Sequence, residues 1–201
     1  MPMRIAVAVS GRGSNLEALI RALPPGGPAA VVLVLTNRAD AGAVEVARRH
    51  GIPVSVLRDA DDATAWREAL EAARVDLVVL AGYLRLVPAP VVERFRGRIV
   101  NIHPALLPAF GGPGMYGRRV HEAVLAAGAQ ESGATVHLVD EVYDRGAVLA
   151  QARVPVLPGD TAATLAARVL GVEHKLLPAV VLAAAKAGRP VPLPEPVELF
   201  P

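Results

Sequence analysis

The stretch RIAVAVSGRGSNLEALIRAL, residues 4–23, decides the fold. Arg4–Val9 is a short, continuously apolar run, as expected of a strand buried on both faces. Leu16, Leu19, Ile20 and Leu23 then fall at i, i+3, i+4 and i+7, which makes one apolar helix stripe. Between them lies Ser10-Gly11-Arg12-Gly13-Ser14-Asn15, a glycine-rich turn that ends the strand and opens the helix. Pro24 and Gly26-Gly27 close the unit. Working outward, the pattern repeats. Apolar runs stand at Val31–Leu35, Val54–Leu57, Val75–Leu80 and Arg98–Ile102, with helical spacing over Ala41–His50, Ala63–Ala73 and Pro90–Phe95. This alternation predicts an α/β fold: a doubly wound, mostly parallel sheet with right-handed crossovers.

The second half departs from that rhythm. A Pro/Gly-rich loop, Pro104–Gly117, precedes a predicted helix over Arg118–Ala127. Strands are predicted at Ala134–Val139 and Val148–Val154, joined by Asp140–Gly146, as an antiparallel or mixed extension of the sheet. Asp160 is the expected N-cap of a long helix, with a kink or restart at Pro178. The chain reads as one domain over residues 1–201. Its parts are a phosphate-binding half (1–100), a catalytic half (101–188) and an extended tail (189–201).

Composition narrows the chemistry. The chain has no cysteine, which excludes disulfides, thiolate zinc sites and cysteine nucleophiles. No His/Asp/Glu cluster has metal-ligand spacing, so no metal is expected. A net charge of +2 and 3% aromatic residues argue against nucleic acid as a partner. No apolar run reaches the ~20 residues of a membrane span, and the N-terminus lacks a signal-peptide pattern. A cytoplasmic protein with small-molecule substrates, monomeric or homodimeric, is expected.

Four motifs remain. The Ser10–Asn15 turn offers free N–H groups and a helix dipole to an anion, or it is an ordinary turn capped by Ser14 or Asn15. It matches neither a Walker loop nor a full dinucleotide fingerprint, because Leu16 holds the third glycine position. Asn101 and His103 alternate onto one side at the end of the fifth strand, where an amide and an imidazole can hold an oxyanion and move a proton. Asp144 is either a solvated loop carboxylate or, placed against His103, a group that raises the histidine's pKa. Ala81–Val87 ends the fourth strand at the same sheet edge and reads as an apolar slot for a flat ring. His50 and His121 read as surface or half-buried helix residues, and His137 as structural.

In this order, the motifs resemble the folate-dependent formyltransferase family, and within it the phosphoribosylglycinamide formyltransferases. The resemblance runs from Arg4 to about Pro178. It includes Asn101-Ile102-His103-Pro104, Gly133–Val139, Tyr143-Asp144-Arg145-Gly146 and Glu173-His174. It implies a Rossmann-like formyltransferase fold. It also implies 10-formyltetrahydrofolate as co-substrate and 5-phosphoribosylglycinamide as formyl acceptor in purine (IMP) synthesis. By resemblance, Asn101, His103 and Asp144 are catalytic through a stabilised tetrahedral intermediate. Gly13, Ser14, Asn15, Leu16 and Glu173 bind the phosphorylated substrate. Leu84, Arg85, Leu86, Val87, Asp140, Glu141, Val142 and Tyr143 bind the folate, and residues 101–188 form the catalytic and folate-binding half. The sequence departs from the resemblance at Asp62-Ala63-Thr64, where relatives often carry a basic residue, and at Arg145.

Two alternatives are a formyltetrahydrofolate hydrolase-like enzyme and a non-catalytic nucleotide-binding module using only the Ser10–Asn15 turn. The enzyme readings require Asn101, His103 and Asp144 to converge; the module does not. The related methionyl-tRNA formyltransferases carry a C-terminal tRNA-binding domain, for which the chain is expected to have no room.

Overall fold

The computed structural model describes residues 1–142 and 144–194. The elements run β1 (Met3–Ala8), α1 (Ser14–Ala22), β2 (Ala29–Thr36), α2 (Gly42–Arg49), β3 (Val54–Val56), α3 (Ala63–Ala72) and β4 (Leu77–Leu80). They continue α4 (Ala89–Arg94), β5 (Ile99–His103), α5 (Arg118–Ala126), β6 (Glu131–Leu138), β7 (Val148–Pro155) and α6 (Ala162–Ala187). The strands form one sheet in the order β3-β2-β1-β4-β5-β6-β7. Pairs from β3 to β5 are parallel, and β5–β6 and β6–β7 are antiparallel. This is the expected doubly wound sheet with an antiparallel extension.

Period-two alternation divides the core into two layers. Ile5, Val7 and Val9 of the first strand region face α1, α2, α5 and α6, together with Leu77 and Val79 of β4. Ala6, Ala8, Val78 and Leu80 face α3 and α4, around Trp66, Leu70 and Phe95. β1 and β4 are neighbours, and their following helices lie on opposite faces. The strand order therefore reverses between them, and the crevice above that point is where ligands bind in such sheets.

Two expectations need correcting. The N-cap of α6 is Thr161, in a reciprocal capping box with Thr164. Asp160 instead accepts the Leu157 N–H and forms a bidentate pair with Arg168 at 2.6 and 2.9 Å. The helix also runs through Pro178, a buried residue, without the restart that was one of the two expectations there. Packing on α6's long apolar face outweighs the one backbone hydrogen bond that proline removes. Only residues 189–194 of the expected extended tail are described, and they hold no helix or strand. There the Leu193 N–H donates to the Leu149 carbonyl beside β7.

Candidate active site

A cavity of ≈820 Å³ opens at the carboxyl ends of β1, β4 and β5. Its first wall is the Ser10–Asn15 turn. Gly13 caps α1 at φ 82 with no side-chain cap, so the first helical N–H groups stay free for a ligand. Only glycine fits here: a Cβ would lie 2.8 Å from Ala43 Cα, in a backbone conformation that side chains disfavour. The capping reading of Ser14 or Asn15 is thereby corrected. Asn15 instead sends its Nδ2 across to Glu173 Oε2 of α6, 2.7 Å away. Burial raises the Glu173 pKa, against the pull of the Asn15 hydrogen bond. Gly13, Ser14, Asn15 and Glu173 all line the cavity. Leu16 does not: its side chain is fully buried in the core, which leaves only its main chain for a ligand.

The second wall follows β4. Gly82, at φ 77, turns the chain so that Leu84, Arg85, Leu86 and Val87 border the cavity. Leu84 and Leu86 remain about half exposed, as does Val142 opposite. At the back of this slot the Tyr83 hydroxyl is buried, with no hydrogen-bond partner among the described residues. Burial pushes its pKa up to about 12. Asp140 also lines the cavity, with its carboxylate accepting the Val142 N–H. Glu141 points elsewhere, to Arg96 at 3.6 Å. Tyr143 lies outside the described residues. The Asp62-Ala63-Thr64 segment does not reach the cavity, because Asp62 caps α3 by accepting from the Thr64 and Ala65 N–H groups.

The third wall carries the titratable cluster. Asn101 and His103 sit at the end of β5, and the antiparallel register sets His137 of β6 directly opposite Asn101. His137 Nδ1 donates to the Leu138 carbonyl at 2.8 Å. The ring's Nε2 lies 3.0 Å from Asn101 Nδ2. That orients the Asn101 amide and leaves its second N–H for a ligand. Asp144, at φ 56, brings its carboxylate to 3.6 Å from His103 Nδ1 and 3.5 Å from His137 Nε2. Its Oδ2 also accepts the Gly112 N–H. Burial works to raise the Asp144 pKa, but the His137 contact, the Gly112 N–H and His103 outweigh it, so the carboxylate stays ionised. His103 Nε2 donates to the Phe110 carbonyl at 2.8 Å.

One expected effect is reversed. Asp144 does pull the His103 pKa upward, but burial is the larger influence and sets it below the ordinary value. With only 3% of His103 exposed, the neutral imidazole is the resting form. A proton arriving there meets Asp144 on one ring nitrogen and the Phe110 carbonyl on the other. The pair can therefore hold a proton transiently without carrying one at rest.

Sequence reasoning missed two residues. His137 belongs to the cluster, and the register of β5 against β6 would have placed it opposite Asn101. His121 is buried, lines the same cavity and has an Nδ1 without a partner among the described residues, where a surface or half-buried helix position was expected. Among the described residues, no three His, Asp or Glu side chains gather as metal ligands.

The formyl transferase family model matches residues 3–181. The chain is 49% identical over 186 residues to a chloroplastic phosphoribosylglycinamide formyltransferase of Arabidopsis thaliana, covering 89% of this chain and 64% of that protein. It is 39% identical over 187 residues to the phosphoribosylglycinamide formyltransferase of Haemophilus influenzae, covering 89% and 85%. The crystal structure of the Anaplasma phagocytophilum phosphoribosylglycinamide formyltransferase superposes with a TM-score of 0.87 at 38% identity, covering 92% of this chain and 88% of that one. The chain thus spans less than two thirds of the plant relative's length.

Proposed function

The chain belongs to the formyl transferase family, and on that premise we propose that it transfers the formyl group of 10-formyltetrahydrofolate to the amine of 5-phosphoribosylglycinamide in purine (IMP) synthesis. One observation carries the reading. A single cavity joins a glycine-built helix N-terminus, suited to a phosphate, to an Asn–His–Asp cluster suited to acyl transfer. A pure nucleotide-binding module would not call for that second wall.

In this reading the Gly13–Asn15 turn, with the Leu16 main chain, holds the substrate phosphate, and Glu173 accepts from its sugar or glycinamide part. Leu84, Arg85, Leu86, Val87 and the Asp140–Tyr143 segment hold the folate. The exposed apolar side chains and the unpaired Tyr83 hydroxyl fit a flat ring with polar edges.

The amine nitrogen forms a bond to the formyl carbon, and negative charge gathers on the formyl oxygen. The free Asn101 N–H and His103 stabilise that charge. The amine's proton passes to His103 beside Asp144, so the imidazolium forms as the oxyanion forms. Collapse breaks the bond to the folate nitrogen, which takes up the proton. Stabilisation that appears only in the transition state is what accelerates the step. No metal is assigned a part. The reading includes a cytoplasmic location and a monomer or homodimer.

The test is a formyl-transfer assay with and without phosphoribosylglycinamide. Product should form only with the amine present. Deformylated folate released equally fast without it would replace this reading with the hydrolase.

A further inference from the structure

Ser10 does not line the cavity, yet it is the point where two of the cavity's walls are joined. It is buried at the end of β1, just before the anion-binding turn. Its N–H donates to the Gly82 carbonyl at 3.0 Å. Its hydroxyl accepts the Leu84 N–H at 3.0 Å and donates to Asn37 Oδ1 at 2.7 Å. The hydroxyl has one proton, and with Leu84 donating to it that proton goes to Asn37. All three groups are therefore locked in one arrangement. Gly82 stands in the left-handed region, so the clasp holds a turn that the chain would otherwise leave loose.

We propose that Ser10 is a positioning residue that couples the two substrate sites: an anion ordering the Gly11–Asn15 turn also orders, through the Ser10 hydroxyl, the Leu84–Val87 wall of the donor slot. This rests on the function proposed above. Coupling of this kind is reciprocal, so each substrate raises the affinity of the other by the same factor. One hydrogen bond of ordinary net strength sets the scale at about fivefold.

The experiment is calorimetric titration with a dideazafolate analogue that carries no formyl group, with and without phosphoribosylglycinamide. The proteins are the wild type, Ser10→Ala, Ser10→Thr and Asn37→Ala, each with its thermal midpoint measured. In the wild type the analogue should bind about fivefold more tightly when phosphoribosylglycinamide is present. Ser10→Ala should weaken the analogue and lose that enhancement. Ser10→Thr keeps the hydroxyl and should restore it, and Asn37→Ala, which frees the hydroxyl's direction, should lose part of it. If Ser10→Ala does not fold, Asn37→Ala decides alone. A folded Ser10→Ala, or in its place Asn37→Ala, with the full wild-type enhancement overturns the coupling and leaves the proposed activity standing. A wild type that binds no analogue overturns both.

Discussion

In the proposed function the anion end of the cavity is walled by five consecutive residues, 11–15, and binds through main-chain N–H groups. At its proton-handling end, Asn101, His103, His137 and Asp144 come from two strands and a loop, and every binding group is a side chain. The first end depends on backbone conformation, held open by Gly13 under Ala43. The second depends on sheet register and burial, which set both the distances and the protonation. Damage at the first should therefore appear in binding, and damage at the second in turnover.

The largest effect is expected at the second end. His103→Ala should cut turnover by about 100-fold or more, while the KM for phosphoribosylglycinamide and the thermal midpoint stay near wild type. A comparable rise in that KM would show that the two ends are not separable. Gly13→Ala should do the reverse. The left-handed conformation and the approach of Ala43 together cost about 2 kcal/mol, a fall of about 5 °C in thermal midpoint for a chain of this size. The KM for phosphoribosylglycinamide should rise more than kcat falls. An unchanged KM would move phosphate binding away from this turn.

The smallest effect is in stability against pH. Burial lowers the pKa of His103, His121 and His174 below the unfolded value near 6.5. The unfolded chain then binds more protons than the folded one just below that value, so stability falls as pH drops from about 6.5. The lowered Asp144 pKa adds a second loss, which begins only near the unfolded carboxylate value of about 3.9. Thermal midpoints from pH 7.5 to 5.5 should therefore decline, and His121→Gln should flatten the slope. A flat wild-type profile would contradict the burial of this cluster.

The same contrast explains how far the sequence could be read. The strand–glycine turn–helix unit was legible because its three parts follow one another within residues 4–23. The sheet and its antiparallel extension were legible from apolar runs that, except at the β3-to-β4 crossover, pair with their neighbours in sequence. His137 was not, since its role depends on which residue of β5 it faces. The stripe that begins with Leu16 carries its side chain into the core, which leaves the binding proposed for it to its main chain. From the sequence the His103 pKa could be argued only from Asp144, because burial, the larger influence, is a property of the assembled layers. Pro178 looked like a break locally, and only the packing of α6 shows why the helix continues.

Trp66 is the chain's single tryptophan, fully buried, with its ring edge-on to Tyr83 at 5.4 Å. Tyr83 stands at the back of the donor slot. The indole emission of this protein thus comes from one site, one side chain away from the cavity wall proposed to hold the folate. It gives an unlabelled optical signal of what occupies that wall, and it needs no engineered probe.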